Sequence, residues 1–147
     1  MRDTCGFSLF EVLITLSIFA ILLGIGFLNF RPLYSPIDDA TNRLESFLKL
    51  ARAKAMATTS AYRIKIEDNQ VSAKRAKHCG DPDNAWAKDS KLTLALPDNV
   101  TVTTPSNKVL CFTSRGYAQT SVTYTIKDNK GKTRNLQVLI GGAVRPK

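Results

Sequence analysis

From Phe7 to Phe30 the chain is apolar apart from one ionisable side chain, Glu11, and Val12 to Phe30 is a run of 19 residues without a charge. At 1.5 Å per residue a helix of that run measures about 28 Å, enough to cross a hydrocarbon core. The pattern predicts a membrane segment over residues 7–30. Gly24 and Gly26 are weak points in it, each costing about 1 kcal/mol of helix stability relative to Ala. Pro32 then withholds a backbone donor, and Ser35-Pro36-Ile37-Asp38 restarts a helix, with Ser35 as N-cap, proline at the first helical position and an acid in the first turn. Ile37, Ala40, Leu44, Phe47, Leu48, Ala51 and Ala55 recur at spacings of three and four, an apolar stripe that needs a sheet to pack on. Arg43, Glu45, Lys49, Arg52 and Lys54 lie mostly elsewhere and read as a solvated face.

After Ser60 the period changes from helical to alternating. Tyr62, Ile64 and Ile66 alternate with Arg63, Lys65 and Glu67, Asp68-Asn69 makes a two-residue turn, and Gln70 to Lys74 returns as a hairpin. Arg75 to Ser90 has no period and contains Cys79-Gly80-Asp81-Pro82 and the sole Trp86, so it reads as a surface loop. Leu92, Leu94 and Leu96 alternate, Pro97-Asp98-Asn99 turns, and Val100 and Val102 continue. Further strands are expected at Lys108 to Phe112, Ser121 to Ile126 and Arg134 to Ile140. The economical architecture is α+β, one long N-terminal helix lying on an antiparallel sheet.

The formal net charge is +9, and between residues 112 and 147 the cations Arg115, Lys127, Lys130, Lys132, Arg134, Arg145 and Lys147 face one acid, Asp128. Such a surface can collect phosphates without sequence preference, or serve only solubility or contact with an acidic neighbour. Tyr117 and Tyr124 are candidate base-stacking groups, although Tyr124 alternates with Val122 and Ile126 as a core residue would. Enzyme chemistry has no support. There is one His, no G-x-S-x-G and no phosphate-cradling G-x-x-x-x-G-K, and Ser114-Arg115-Gly116 lacks a base and reads as a turn. No cofactor, metal or small-molecule substrate is expected.

Glu11 is the residue that needs a reason, because a carboxylate within a membrane helix costs about 2.5 to 3.5 kcal/mol even on the lenient insertion scale. A cleaved secretory signal does not fit: Arg2 is offset by Asp3, the apolar run exceeds an ordinary h-region, and bulky Arg31-Pro32-Leu33-Tyr34 follows it. Gly6-Phe7-Ser8-Leu9-Phe10-Glu11-Val12-Leu13-Ile14 resembles the prepilin motif of type IV pilins and type II secretion pseudopilins. The resemblance implies a leader over residues 1–6, cleavage after Gly6 by a membrane peptidase, N-methylation of the new first residue Phe7, and an assembly role for Glu11. The physical logic is that cleavage creates an α-amine on Phe7, which in a neighbouring helix can neutralise Glu11 and remove a penalty that the isolated subunit suffers. Residues 31–147 would then form a periplasmic domain, an amphipathic helix over 31–59 and a β-rich head over 60–147. Arg31, Arg43, Lys49, Arg52 and Lys54 lie on that external side against the positive-inside count, but long domains cross largely regardless of charge.

Removal of Cys5 with the leader would leave Cys79 and Cys111 as an even pair in an oxidising compartment. A disulfide between them would contribute about 3 to 4 kcal/mol in the loop-entropy description. Two free buried thiols are the other reading, and half a metal site a third, with His78 beside Cys79 but no C-x-x-C pattern. Leu50-Ala51-Arg52-Ala53-Lys54-Ala55, the following hairpin, Val109 to Gly116 and the ending Gly141-Gly142-Ala143-Val144-Arg145 are similar to the GspH/FimT group of minor pilins and pseudopilins. That resemblance implies a low-abundance subunit of the inner membrane and filament that helps initiate or cap a type IV pilus or a type II secretion pseudopilus. Its implied partners are other pilins or pseudopilins and the prepilin peptidase and methylase. Some members take up DNA and carry a basic G-R-x-R ending; here the corresponding piece, Gly142-Ala143-Val144-Arg145, lacks the first Arg. DNA is therefore the alternative partner, with the seven C-terminal cations as its contacts.

Overall fold

A computed structural model describes residues 8–29, 35–67, 69–104 and 109–147, with the side chains of residues 24–29 also outside the described set. The chain divides into two compact units, Met1–Tyr34 and Ser35–Lys147.

The first unit contains α1, Leu9–Asn29. Its backbone runs helically through Gly24 and Gly26, so the two glycines cause no break. Among the described residues no helix is long and apolar enough to cross a membrane. The described side chains of α1 end at Leu23, and the sequence continues through Phe30 without a charge.

The second unit begins with α2, Pro36–Ala57, whose N-cap Ser35 is extended and whose first position is proline, as the sequence predicts. All seven residues of the predicted stripe are buried. Thr41 joins them by donating its hydroxyl to the Ile37 carbonyl at 2.6 Å, which satisfies a polar group that burial would otherwise penalise. Among the described residues eight strands follow: β1 Ala61–Glu67, β2 Gln70–Ala76, β3 Ala87–Ala95, β4 Val100–Thr103, β5 Leu110–Phe112, β6 Val122–Asp128, β7 Thr133–Val138 and β8 Val144–Pro146. They form two four-stranded sheets, ordered β3-β2-β1-β5 and β4-β6-β7-β8, rather than the single sheet expected. The division falls at the β3–β4 connection. There Pro97 cannot donate to a ladder, and the Asn69 side chain holds its carbonyl at 3.0 Å, so the chain leaves the first sheet instead of folding back on it.

The β1–β2 hairpin has the register expected from a two-residue turn, Glu67 opposite Gln70 and Ile64 opposite Ala73. Asn69 supplies the left-handed backbone, φ 61°, that such a turn requires. The expected loop over residues 75–90 is shorter than predicted, because β2 runs to Ala76 and β3 starts at Ala87. Lys74 opposite Lys88 and Arg75 opposite Ala87 make that extension a paired ladder, broken by an irregularity between Ser72 and Lys74. Its polar, charged sequence hides this strand from a reading based on apolar alternation. The same blindness applies to β8, three residues at the sheet edge, which no expectation included.

α2 lies across both sheets. Its stripe shares one core with Tyr62, Ile64, Val71 and Phe112 of the first sheet and Val122, Tyr124, Ile126, Leu136 and Val138 of the second. Tyr124 is buried as its alternation implied, and desolvation holds its phenol above the ordinary tyrosine range.

Candidate functional site

Two surfaces bear on function, one in each unit. In the first, every described side chain of α1 is exposed within the single chain, Leu9 at 80% and Phe10 at 70% for example. A helix apolar on all sides is stable only when lipid or other helices cover it. Its hydroxyls do not oppose such burial: Thr15 donates to the carbonyls of Glu11 and Val12, and Ser17 to that of Leu13. Glu11 sits in the first turn of α1, and among the described residues no side chain pairs with its carboxylate. Gly6 and Phe7, the processing residues that the sequence implies, lie outside the described residues.

The second unit distributes the seven predicted C-terminal cations over four places. Cross-strand register puts Thr101 and Thr103 of β4, Thr123, Thr125 and Lys127 of β6, Thr133, Asn135 and Gln137 of β7 and Arg145 of β8 on the face of the second sheet away from α2. Lys147 follows in register beside Asn135, to whose carbonyl it donates at 2.9 Å. Among the described residues that face carries no acid. Lys130 lies in the β6–β7 turn, exposed. Arg134 and Lys132 belong elsewhere, because Arg134 donates to Asp38 of α2 at 3.1 Å and Lys132 lies 3.8 Å from the same carboxylate. Hydrogen bonding from Ser35, then Arg134 and the field of Lys132, hold Asp38 below the ordinary carboxylate range. Arg115 is in the turn after β5, exposed. The seven therefore do not form one patch; Lys127, Arg145 and Lys147 share a face.

Two residues expected on a solvated face are instead structural. Arg52 of α2 reaches out of the helix and donates from Nε to the Gly116 carbonyl at 2.9 Å and from Nη2 to the Gly141 carbonyl at 3.3 Å. It thereby clasps the two loops that follow β5 and β7. Lys54 pairs with Asp89 of β3 at 2.5 Å, and the Tyr62 hydroxyl donates to the same oxygen at 3.2 Å. The Lys54 ammonium beside it, helped by the Lys91 backbone N–H and Tyr62, holds the Asp89 carboxyl below its ordinary 3.8. A depressed folded-state pKa gives stability that is complete above the unfolded value and is lost as pH falls through the folded one. Asp89→Asn is therefore expected to destabilise the head by about 1 to 3 kcal/mol at neutral pH. The difference should vanish in strong acid, and parallel urea midpoints of variant and parent across the acid range would check it.

Cys79 and Cys111 form a disulfide with Cα atoms 5.9 Å apart, which decides between the readings left open by the sequence. It fastens the loop after β2 to β5, and a small second core forms there from Ala61, Ala76, Trp86 and Cys111 with Cys79 beside it. Trp86 is 8% exposed. The Arg63 guanidinium lies 4.1 Å from its ring centroid and donates to Asp83 at 2.6 Å. Sequence reasoning missed this cationic side of the first sheet. The signal was available, since counting back from the Asp68-Asn69 turn places Arg63 opposite Lys74. Among the described residues no three His, Cys, Asp or Glu side chains gather as metal ligands.

Two solved structures share this architecture, a type IV minor pilin and a minor pseudopilin. The type IV minor pilin FimU of Pseudomonas aeruginosa is 21% identical, with 76% of this chain and 87% of that one aligned at a TM-score of 0.61. The minor pseudopilin EpsH from the type 2 secretion system of Vibrio cholerae is 14% identical, with 77% and 97% aligned at a TM-score of 0.61. These likenesses establish the pilin-like fold. Residues 1–27 match the prokaryotic N-terminal methylation motif. Residues 40–143 match the family described as type II transport protein GspH, and the chain belongs to that family of pilin and pseudopilin subunits. No curated protein sequence matches the chain.

Proposed function

We propose that this chain is a minor subunit that helps initiate or cap a type IV pilus or type II secretion pseudopilus. It is stored in the inner membrane through residues 7–30, with the domain from residue 31 onward in the periplasm, and is drawn into a helical assembly after cleavage behind Gly6. The observation that carries this reading is α1: an all-apolar helix exposed on every described side with one carboxylate, Glu11, in its first turn. Among the described residues neither the apolar surface is covered nor the carboxylate paired, and a bundle of like helices covers both. The partners are other pilins or pseudopilins and the peptidase and methylase that process Phe7.

Mass spectrometry of the mature N-terminus tests the reading directly. The expected result is a polypeptide beginning at N-methylated Phe7; retention of residues 1–6 in the working assembly would overturn it. Gly6→Glu is expected to leave an uncleaved species that runs more slowly on a gel.

A second reading, DNA binding for natural transformation, is favoured by the acid-free outer face of the second sheet bearing Lys127, Arg145 and Lys147. Engaging three phosphates predicts that log affinity falls against log salt with a slope of about −3. A mobility-shift series across salt concentrations checks this, and no binding at low ionic strength would end it. Arg134 and Lys132 are occupied by Asp38 and are expected to contribute little.

A further inference from the structure

We propose that the outer face of the first sheet holds a carboxylate-binding pocket that receives an acidic side chain from another filament subunit. The proposal rests on the assembly reading for the source of that subunit, but the pocket is argued from its own geometry. A cavity of about 330 Å³ is lined by Arg63, Lys65, Lys74, Asp83, Trp86 and Val109. Three cations stand in a row across three strands: Arg63 of β1 lies directly opposite Lys74 of β2, and Lys74 directly opposite Lys88 of β3. Like charges in directly opposed positions destabilise a sheet, so this row is a cost that an anion laid along it would relieve.

The acids among the described residues do not meet the need. Glu67 pairs with Lys65, and that hydrogen bond, with the fields of Lys74 and Lys88, holds its carboxyl below the ordinary range. Among the described residues Lys74 and Lys88 hold no ion pair of their own. Among the described residues Asp83 alone reaches Arg63, from a carboxylate that is 94% exposed. A contact so open to water contributes little and is readily exchanged. It also shows which chemistry the Arg63 head accepts, a carboxylate oxygen at 2.6 Å. The incoming group takes the place of Asp83 on Arg63 and bridges to Lys74.

Three features select an acidic protein segment over nucleic acid and over a second copy. Trp86 is buried to 8% exposure with Arg63 over its ring, which leaves no open face on which a base could stack. Val109, half exposed at the rim, suits an apolar neighbour of the incoming acid. A second copy brings a charge of +9 to a cationic face, whereas an acidic subunit is attracted to it.

Trp86 is the sole tryptophan and reports on the pocket without a label. The full chain in non-ionic detergent micelles is titrated with hexaglutamate while its fluorescence is followed. A saturable change is expected. Lys74→Gln should weaken it about tenfold, the loss of one charged hydrogen bond, while Lys74→Arg retains it. Asp83→Asn, by removing the competing carboxylate, should tighten binding, and Lys127→Gln should leave it unaltered. Absence of a saturable change, or a change indifferent to Lys74→Gln, would overturn the proposal. So would tighter Trp86-reported binding of oligothymidylate, which would make the pocket a nucleic-acid site. Because the measurement uses the unassembled chain, its failure is distinguishable from a failure of the filament reading.

Discussion

Gly142→Ala is expected to destabilise the head by about 3 kcal/mol or more, a large share of the 5 to 15 kcal/mol that ordinary domains possess. Gly142 has φ 77°, and a Cβ there would stand 2.0 Å from the Gly116 carbonyl oxygen and 2.8 Å from Arg52 Nε. That carbonyl is the one Arg52 holds at 2.9 Å, so the methyl collides with backbone already fixed by a hydrogen bond and cannot be relieved by turning a side chain. The Ala118 amide donating to the Ile140 carbonyl at 2.9 Å locks the same two loops together. Two other glycines separate the contributions. Gly131, φ 82° with nothing near its Cβ position, isolates conformational strain, so Gly131→Ala should cost about 1 to 2 kcal/mol. Gly141 has neither positive φ nor a close neighbour, and Gly141→Ala should be almost neutral. Urea midpoints of the three variants at unchanged slope would check the order; a Gly142→Ala midpoint equal to that of Gly131→Ala would mean that the close approach carries no energy.

The same residues show where the sequence was legible. α2 was readable because its stripe is apolar and has one period, and Ser35 and Pro36 mark its start. The β1–β2 hairpin was readable because a short turn fixes register. What escaped was structure built from polar residues and distant contacts. β3 opens with Ala87-Lys88-Asp89-Ser90-Lys91, which shows no alternation, and it is a strand because β2 offers it a ladder. Arg52 and Lys54 look like surface charge along the helix, and become structural only when loops 64 and 89 residues away, and a strand 35 residues away, arrive beside them. Gly142 reads in sequence as part of a basic ending. In the fold it is a packing contact against Gly116, while Arg145 points to the other side of the second sheet. The cationic row Arg63, Lys74 and Lys88 likewise exists only through two registers, the second displaced by an irregularity.

Glu11→Ala is expected to be inserted and cleaved like the parent, yet to enter filaments at least about tenfold less, a difference of about 1.4 kcal/mol in the partition between membrane and assembly. The expectation follows from what the carboxylate does in each state. Alone in the bilayer it is a burden of about 2.5 to 3.5 kcal/mol, and alanine removes that burden, so the stored subunit becomes more stable. In the assembly the proposed partner is the α-amine of Phe7 on a neighbouring helix, and alanine leaves that amine without its counter-charge at a surface now sealed from water. Both changes push the same way, toward the membrane. A Glu11→Gln variant preserves size and hydrogen bonding but not charge, and should fail nearly as badly if the interaction is ionic. The measurement is the ratio of subunit in sheared filaments to subunit in membranes, with the mature N-terminus verified in both fractions. Parent-like incorporation of Glu11→Ala would mean that the carboxylate merely reaches back to the membrane surface from its place in the first turn. The apolar surface of α1 would then have to drive assembly without any ionic registry, since Glu11 is the one charge the helix carries.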